Sequence, residues 1–457
     1  MTSLSIRGIN GRNMNRIRRI RRISRELRQR IYPARDKDSG ARLATQISAE
    51  GLLSAIVINL ATVYTAMFAN RMGADGNQIG IISSLPQIFA LVSLIPGALL
   101  TGRLRDRRKP VEFALILAGM FYGLAGFSPL LGSLRVWFLI GMISLANAPL
   151  ALYNTTWQNY FSDIIPISQR NSFYTMRTSM TYFAGIVVVQ AVGIILGNAA
   201  TDSRRIWLYQ CCYWLAFMFS MLQLFVLRQS PRDLSDHPAS SGWQDLRTAF
   251  GELLKNRRFM RFFGISLILH SGWYMAWPTF FIAQVTYMHA DESWLGYLTV
   301  SAGILQWLSV RPWGKYIDRH GARKALAIGA FGLALNPVVT IFCAYLAVPL
   351  QLPVLLILSL FNACTFGAFQ IAILQCLLEV IPIRYRSLNL SIYTSALLAA
   401  NAVMPMLAIR IYTAAGTNLA ALTISMIAAT LVRLIGSALF IIRWYHLRHE
   451  PDCGIRA

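Results

Sequence analysis

Acid is scarce in this chain: 19 Asp and Glu stand against 43 Lys and Arg. None of the acids falls in the middle third of a long apolar segment, and Glu50, Glu112 and Glu379 lie at segment ends. A carboxylate inside a membrane span is the usual proton carrier or organic-cation anchor, so its absence argues against both chemistries. Paired cysteines are lacking too. The six thiols form no Cys-x-x-Cys and no Cys/His spacing, and Cys211, Cys212, Cys343 and Cys364 read as small apolar fillers. No disulfide, metal site or cofactor is expected. No short apolar core follows a basic start, so no signal peptide is read. Within the apolar segments no nucleophile stands near a base or metal set, which argues against an enzyme.

Long hydrophobic runs are abundant instead. The chain is 55% hydrophobic over 457 residues. A helix needs about 20 apolar residues to cross a bilayer core. Twelve such segments can be placed between residues 47 and 442, six on each side of a polar stretch at 229–258. They are too long and too continuously apolar for a β-barrel. The net charge of +24 is unevenly placed: 37 of the 43 basic residues fall on one side of this topology, and the opposite links hold only Arg71, Arg135, Arg204 and Arg205. This positive-inside pattern predicts that both termini are cytoplasmic. It accounts for the charge without nucleic acid, which is not expected as a partner. Arginine far outnumbers lysine, a composition that points to a bacterium and hence to its inner membrane.

The chain also repeats itself. Met72, Ala74, Asp75 and Gly80 recur 216 residues later as Met288, Ala290, Asp291 and Gly296. Asp163-x-x-Pro166-x-x-x-Arg170 recurs at the same offset as Glu379-x-x-Pro382-x-x-x-Arg386, and Gly102-x-x-x-Asp106-Arg107 recurs as Gly314-x-x-x-Asp318-Arg319. Each echo lies in a polar link between apolar runs, as expected for two fused membrane bundles. The fold class predicted is all-α, with twelve transmembrane helices in two pseudo-symmetric six-helix bundles. The expected organisation is a basic tail at 1–45, a first bundle at 46–228, a linker at 229–258, a second bundle at 259–445 and a tail at 446–457. Ile17, Ile20, Ile23, Leu27 and Ile31 suggest a basic amphipathic helix lying on an anionic cytoplasmic leaflet; a basic tail that only sets topology is the alternative. A second short amphipathic helix is expected from Trp243 onward.

The stretch Gly314-Lys315-Tyr316-Ile317-Asp318-Arg319-His320-Gly321-Ala322-Arg323-Lys324 resembles the signature loop of the major facilitator superfamily, G-x-x-x-D-R-x-G-x-R-K. The leading glycine is expected to let two helices approach closely at a tight turn. The first-half copy keeps Gly102, Asp106 and Arg107 but lacks the x-Gly step after Arg107. The resemblance covers about residues 46–445. It implies a carrier whose cytoplasmic loops form a latch in the outward-facing state. The residues expected in that latch are Gly102, Asp106, Arg107, Asp163, Arg170, Gly314, Asp318, Arg319, Gly321, Arg323, Glu379 and Arg386.

The resemblance further implies a substrate path between the halves, lined mainly by spans 1, 4, 7 and 10. The candidate binding residues are Asn59 and Tyr64; Asn147, Tyr153 and Asn154; His270, Trp273, Tyr274 and Trp277; and Thr365, Phe369 and Gln370. Asn362 lies on the same span as the last three, and Gln306 is a secondary candidate. Aromatic faces interleaved with amides suit a neutral or amphipathic organic molecule. His270 is either a proton carrier or a hydrogen-bonded structural group. For Arg433, a cation inside the last span, structural pairing is expected and an anion site is the alternative. The function expected is secondary transport of a small organic solute by alternating access, in a monomer. A non-transporting partner protein that reuses the fold, or proton-linked efflux of amphipathic compounds, are the alternatives.

Overall fold

The computed structural model describes residues 37–101, 106, 108–165, 167–230, 243–381 and 386–448. The expected basic helix at 17–31, Gly102, Arg107 and residues 231–242 of the expected linker lie outside the described residues. Among those described, the first half holds α1 (Lys37–Thr62), α2 (Thr65–Arg71), α3 (Gly76–Thr101), α4 (Arg108–Ala125), α5 (Arg135–Ile164), α6 (Ile167–Gly197) and α7 (Asp202–Gln229). A linker helix, α8 (Trp243–Lys255), precedes α9 (Arg257–Ile282), α10 (Glu292–His320), α11 (Ala322–Ala344), α12 (Val348–Val380), α13 (Arg386–Ala414) and α14 (Leu419–Leu447). Nine of the described helical segments are long and apolar enough to cross a membrane by length and composition.

The two halves pack by the same plan. In the first, α1 lies against α6 and α7, α3 against α5, and α4 against α5 and α7. In the second, α9 lies against α13 and α14, α10 against α12, and α11 against α12 and α14. The halves meet through α3 on α13 and α6 on α10. Large apolar side chains such as Val92, Phe225, Phe361 and Ile435 stay exposed on the outside, which in a bilayer is the lipid-facing surface.

The sequence echoes have local physical causes. Asp75 accepts from the Gln78 backbone N–H at 2.7 Å while Gln78 Oε1 accepts from the Asp75 N–H at 3.0 Å, a reciprocal cap at the start of α3. At the start of α10 the repeated Asp291 accepts from the Trp294 N–H at 2.9 Å. Gly80 and Gly296 follow one turn into these helices, where α3 and α10 touch the opposite half. A Cβ at Gly80 would meet Ile409 Cγ1 at 2.8 Å, and one at Gly296 would meet the Tyr64 hydroxyl at 3.0 Å.

One detail is refined and one expectation is corrected. The helix that carries the first span starts at Lys37, the apolar span itself runs Thr45–Arg71, and within it α1 gives way to α2 between Thr62 and Thr65. Gly314 is not a close-approach glycine: it lies inside α10, and a Cβ there would meet nothing within 4 Å. The glycine that the signature loop requires is Gly321, whose φ of 86° ends α10 while its N–H donates to the Ile317 carbonyl at 2.8 Å.

Candidate functional site

Two faces of the molecule differ. On the face away from the termini, the halves are held by Arg71 at the end of α2 and Glu292 at the start of α10. Arg71 Nε and Nη2 donate to the two Glu292 oxygens at 3.0 and 3.1 Å, and the Glu292 side chain is fully buried. Tyr209 of α7 donates to the same carboxylate at 3.2 Å, and Arg205 stands 3.6 Å from it. Beside this pair, Ser293 of α10 donates to the Gly193 carbonyl of α6 at 3.3 Å.

On the terminus face, the ion pairs among the described residues lie within each half. In the first half Arg108 and Arg228 converge on Glu112, at 2.7 and 3.3 Å. In the second, Arg323 and Arg443 converge on Glu379. Arg323 and Arg443 follow Arg108 and Arg228 at one common sequence offset, so the repeat extends to this relay although its carboxylate moves from α4 to α12. Asp318 and Arg319 are exposed, and neither makes an ion pair among the described residues. Asp106 accepts from the Arg108 N–H at 3.1 Å. Asp163, Arg170 and Arg386 lie on described helices, but their side chains are outside the description.

Between the faces, a cavity of about 450 Å³ opens in the second half among α9, α10, α11 and α12, with Val63 of the first half at its edge. Trp273 and Trp277 of α9, Gln306 of α10, Asn336 of α11 and Asn362 and Phe366 of α12 contribute to its wall. Its floor is Arg433. That side chain is 1% exposed and donates through Nε to the Gly272 carbonyl at 3.0 Å, through Nη1 to Leu333 at 2.8 Å and through Nη2 to Trp273 at 3.2 Å. Gly272 permits this approach, since a Cβ there would meet Arg433 Cγ at 2.8 Å. Because α14 runs from Leu419 to Leu447, Arg433 lies midway along it, about 21 Å from either end. It is deeper than a span ending near 442 suggests. A larger groove of about 630 Å³ under α8 is almost wholly apolar, lined by Phe250, Leu254, Phe263 and Ile392. Its chemistry offers no orienting group beyond Arg247 and Ser395, so the polar cavity is the better candidate.

The candidate binding residues divide sharply. Trp273 and Trp277 line the cavity. Tyr274 is half-buried beside Trp273, with ring centroids 6.1 Å apart. His270 lies behind them, tilted against Phe369 at 5.5 Å between ring centroids, with Nδ1 donating to the Ser266 carbonyl at 2.8 Å. Phe369 is fully buried, whereas its neighbour Gln370 is exposed. Thr365 donates back to the Asn362 carbonyl at 3.0 Å. Tyr64 belongs to the closed face, donating to the Val189 carbonyl at 2.8 Å. Asn59 and Asn147 donate to carbonyls of their own helices, each at 2.8 Å, and Asn154 is exposed.

Tyr153 belongs to a separate buried cluster. It donates to Glu50, which also receives Arg177 Nε at 3.0 Å and Gln223 Nε2 at 2.9 Å. Arg177 covers the Trp157 ring at 3.7 Å. Sequence alone does not single out Asn336 or the Arg71–Glu292 and Glu50–Arg177 pairs, because pairing across helices carries no local signature. Arg433 does carry one, an arginine in mid-span.

The family model described as Major Facilitator Superfamily matches residues 49–287 and 262–452. No curated protein matches the chain in sequence. Several solved structures share the fold. The nucleoside transporter NupG superposes with a TM-score of 0.65 at 15% identity, over 87% of this chain and 99% of that one. A bacterial homolog of the human lysosomal transporter Spinster, inward-facing and unoccupied, gives 0.63 at 14% identity over 89% and 97%. The xylose transporter XylE from E. coli, in a partially occluded inward-open conformation, gives 0.61 at 13% over 91% and 99%.

Proposed function

The chain belongs to the major facilitator superfamily, and we propose that it is a secondary carrier moving a small organic solute across a membrane by alternating access. The observation that carries this reading is the contrast between its faces. Arg71 and Glu292 join the halves at one end, while Asp318 and Arg319 stand exposed and unpaired, among the described residues, at the other. The basic terminus face is then the cytoplasm of a bacterial inner membrane, and the conformation is inward-open. Outward opening breaks the Arg71–Glu292 contact and closes the signature loops over one another. In that state Asp106, Asp163, Asp318 and Glu379 meet Arg107, Arg170, Arg319, Arg323 and Arg386, with Gly102 and Gly321 at the turns and Gly314 beside them on α10. The two bundles rock as a monomer about a central path, and Trp273, Trp277, Gln306 and Asn362 meet the solute.

The test is sided labelling in oriented vesicles. All six native cysteines are replaced and a single Thr299→Cys is placed in the cavity wall. Labelling by an impermeant thiol reagent from the terminus side, moving to the other side when Glu292 is changed to Gln, supports alternating access. A disulfide engineered between Gly197→Cys and Ser293→Cys then locks the closed face. Solute flux that continues undiminished with that lock in place would sink the carrier reading.

A further inference from the structure

We propose that the second-half cavity binds an organic anion, with Arg433 as its fixed positive charge and the tryptophans as the seat for a flat apolar body. The proposal rests on the carrier reading for its purpose, although binding itself needs no transport. Arg433 is buried at mid-depth and has no carboxylate partner among the described residues. The buried acids are committed elsewhere, Glu292 to Arg71 and Glu50 to Arg177, and the half-buried Glu379 pairs with Arg323. Three of the five guanidinium N–H groups bond carbonyls, which leaves two.

Carbonyl dipoles orient a cation but do not neutralise it. An ion held in low dielectric without a counter-charge is unfavourable, and inside a membrane such groups mark solute or ion paths. A structural brace explains the three bonds made. It does not explain why Arg433, whose guanidinium lies 5.7 Å from the Phe280 ring centre, is also part of the cavity lining. The missing charge is supplied by a ligand.

The rest of the wall narrows the chemistry. At about 450 Å³ the cavity matches a metabolite-sized molecule. Trp273 stands edge-on to Phe366 at 5.3 Å, and Trp277 is 58% exposed, so an aromatic or aliphatic body has faces to lie on. Asn362 Oδ1 is buried without a donor, a place for a hydroxyl or N–H beside the anionic group. The occupant is thus a carboxylate or phosphate on an apolar frame, the charged branch of the amphipathic class. That anionic group could come from a soluble molecule or from a lipid headgroup.

The experiment uses the full-length protein in uncharged detergent with 1-naphthoate as probe and 1-naphthamide as its neutral match. Calorimetry should show naphthoate binding at least about tenfold more tightly than the amide. Arg433→Gln should remove that preference. Because this variant could fail to fold, Gln306→Glu supplies a second arm, placing a competing carboxylate on the same wall and weakening naphthoate about tenfold or more. Phosphatidylglycerol that displaces naphthoate assigns the natural anion to a lipid; lack of displacement assigns it to a soluble molecule, and both uphold the charge site. Equal affinity for acid and amide, naphthoate affinity unchanged in Gln306→Glu, or no binding of any of these anions overturns the proposal. Charge-dependent binding without flux keeps the site and removes the carrier. Flux of a neutral solute unchanged in Arg433→Gln keeps the carrier and removes the site.

Discussion

Glu292 accepts two hydrogen bonds from Arg71 across the boundary between the two halves, at 3.0 and 3.1 Å. The pair lies 221 residues apart in sequence and forms the main charged contact on the closed face. Removing one partner from a buried pair destabilises the contact by roughly 3–5 kcal/mol, since the other charge is left without compensation. Glu292→Gln is therefore expected to raise labelling of Thr299→Cys from the face away from the termini by at least about tenfold, a shift that requires only ~1.4 kcal/mol. In a double-mutant cycle, adding Arg71→Gln should produce much less than the sum of the single effects.

Steric pressure on the same face should act in the same direction. A Cβ at Gly193 would meet the Glu292 carbonyl at 3.0 Å, with the Tyr64 hydroxyl closer still. Gly193→Ala is expected to open this face by the ~1–3 kcal/mol of an overpacked contact. Interspin distances between labels on α6 and α10 should then lengthen and broaden. Unchanged distances would mean that the helices absorb the methyl group locally.

Much of the architecture is legible in the sequence for physical reasons that particular residues make plain. Apolar run length gives the spans, and the echo of Asp75 in Asp291 marks two helix starts that need the same cap. Facing is what sequence conceals. One residue turns a helix by about 100°, and in α12 that single step separates buried Phe369 from exposed Gln370. Trp273 and Trp277 reach the cavity, whereas His270, on the same helix face one turn earlier, lies outside its lining and is bonded to Ser266 and packed on Phe369, so position along the helix decides what face alone does not. Asn336 escapes notice because α11 is not among the helices expected to line the path.

The buried Glu50 cluster gives a stability prediction. Glu50→Gln leaves Arg177 without its carboxylate in a site where the Arg177 side chain is only 14% exposed. A loss of roughly 3 kcal/mol is expected, seen as a Tm lowered by several degrees. Tyr153→Phe, which removes the bond to Glu50 and the weaker ones accepted from Gln223 and Arg177 but leaves the ion pair, should lower stability by less, about 1–2 kcal/mol. Changing Glu50 and Arg177 together to methionine should recover most of the loss.

Asp318 should behave in the opposite way. Its side chain is exposed and makes no ion pair among the described residues, so Asp318→Asn should leave thermal stability within about 0.5 kcal/mol. Its effect is expected in the other conformation. If the latch forms when the carrier faces outward, the variant depopulates that state, and transport falls although the fold is intact. Unchanged transport and unchanged labelling from the terminus side would remove Asp318 from the latch.

The caps on α3 and α10 also say something about ancestry. What the two halves still spell alike is carpentry: an aspartate to begin a helix, a glycine where another backbone presses close, paired arginines to brace a corner. Such parts serve any cargo, and a duplicated gene has little reason to vary them in one copy. Arg433, Glu50 and His270 have no twin at the repeat offset, where Phe217, Ser266 and Ser54 stand instead. Those unmatched places are where the two copies ceased to be interchangeable, each half having settled its own interior in its own way.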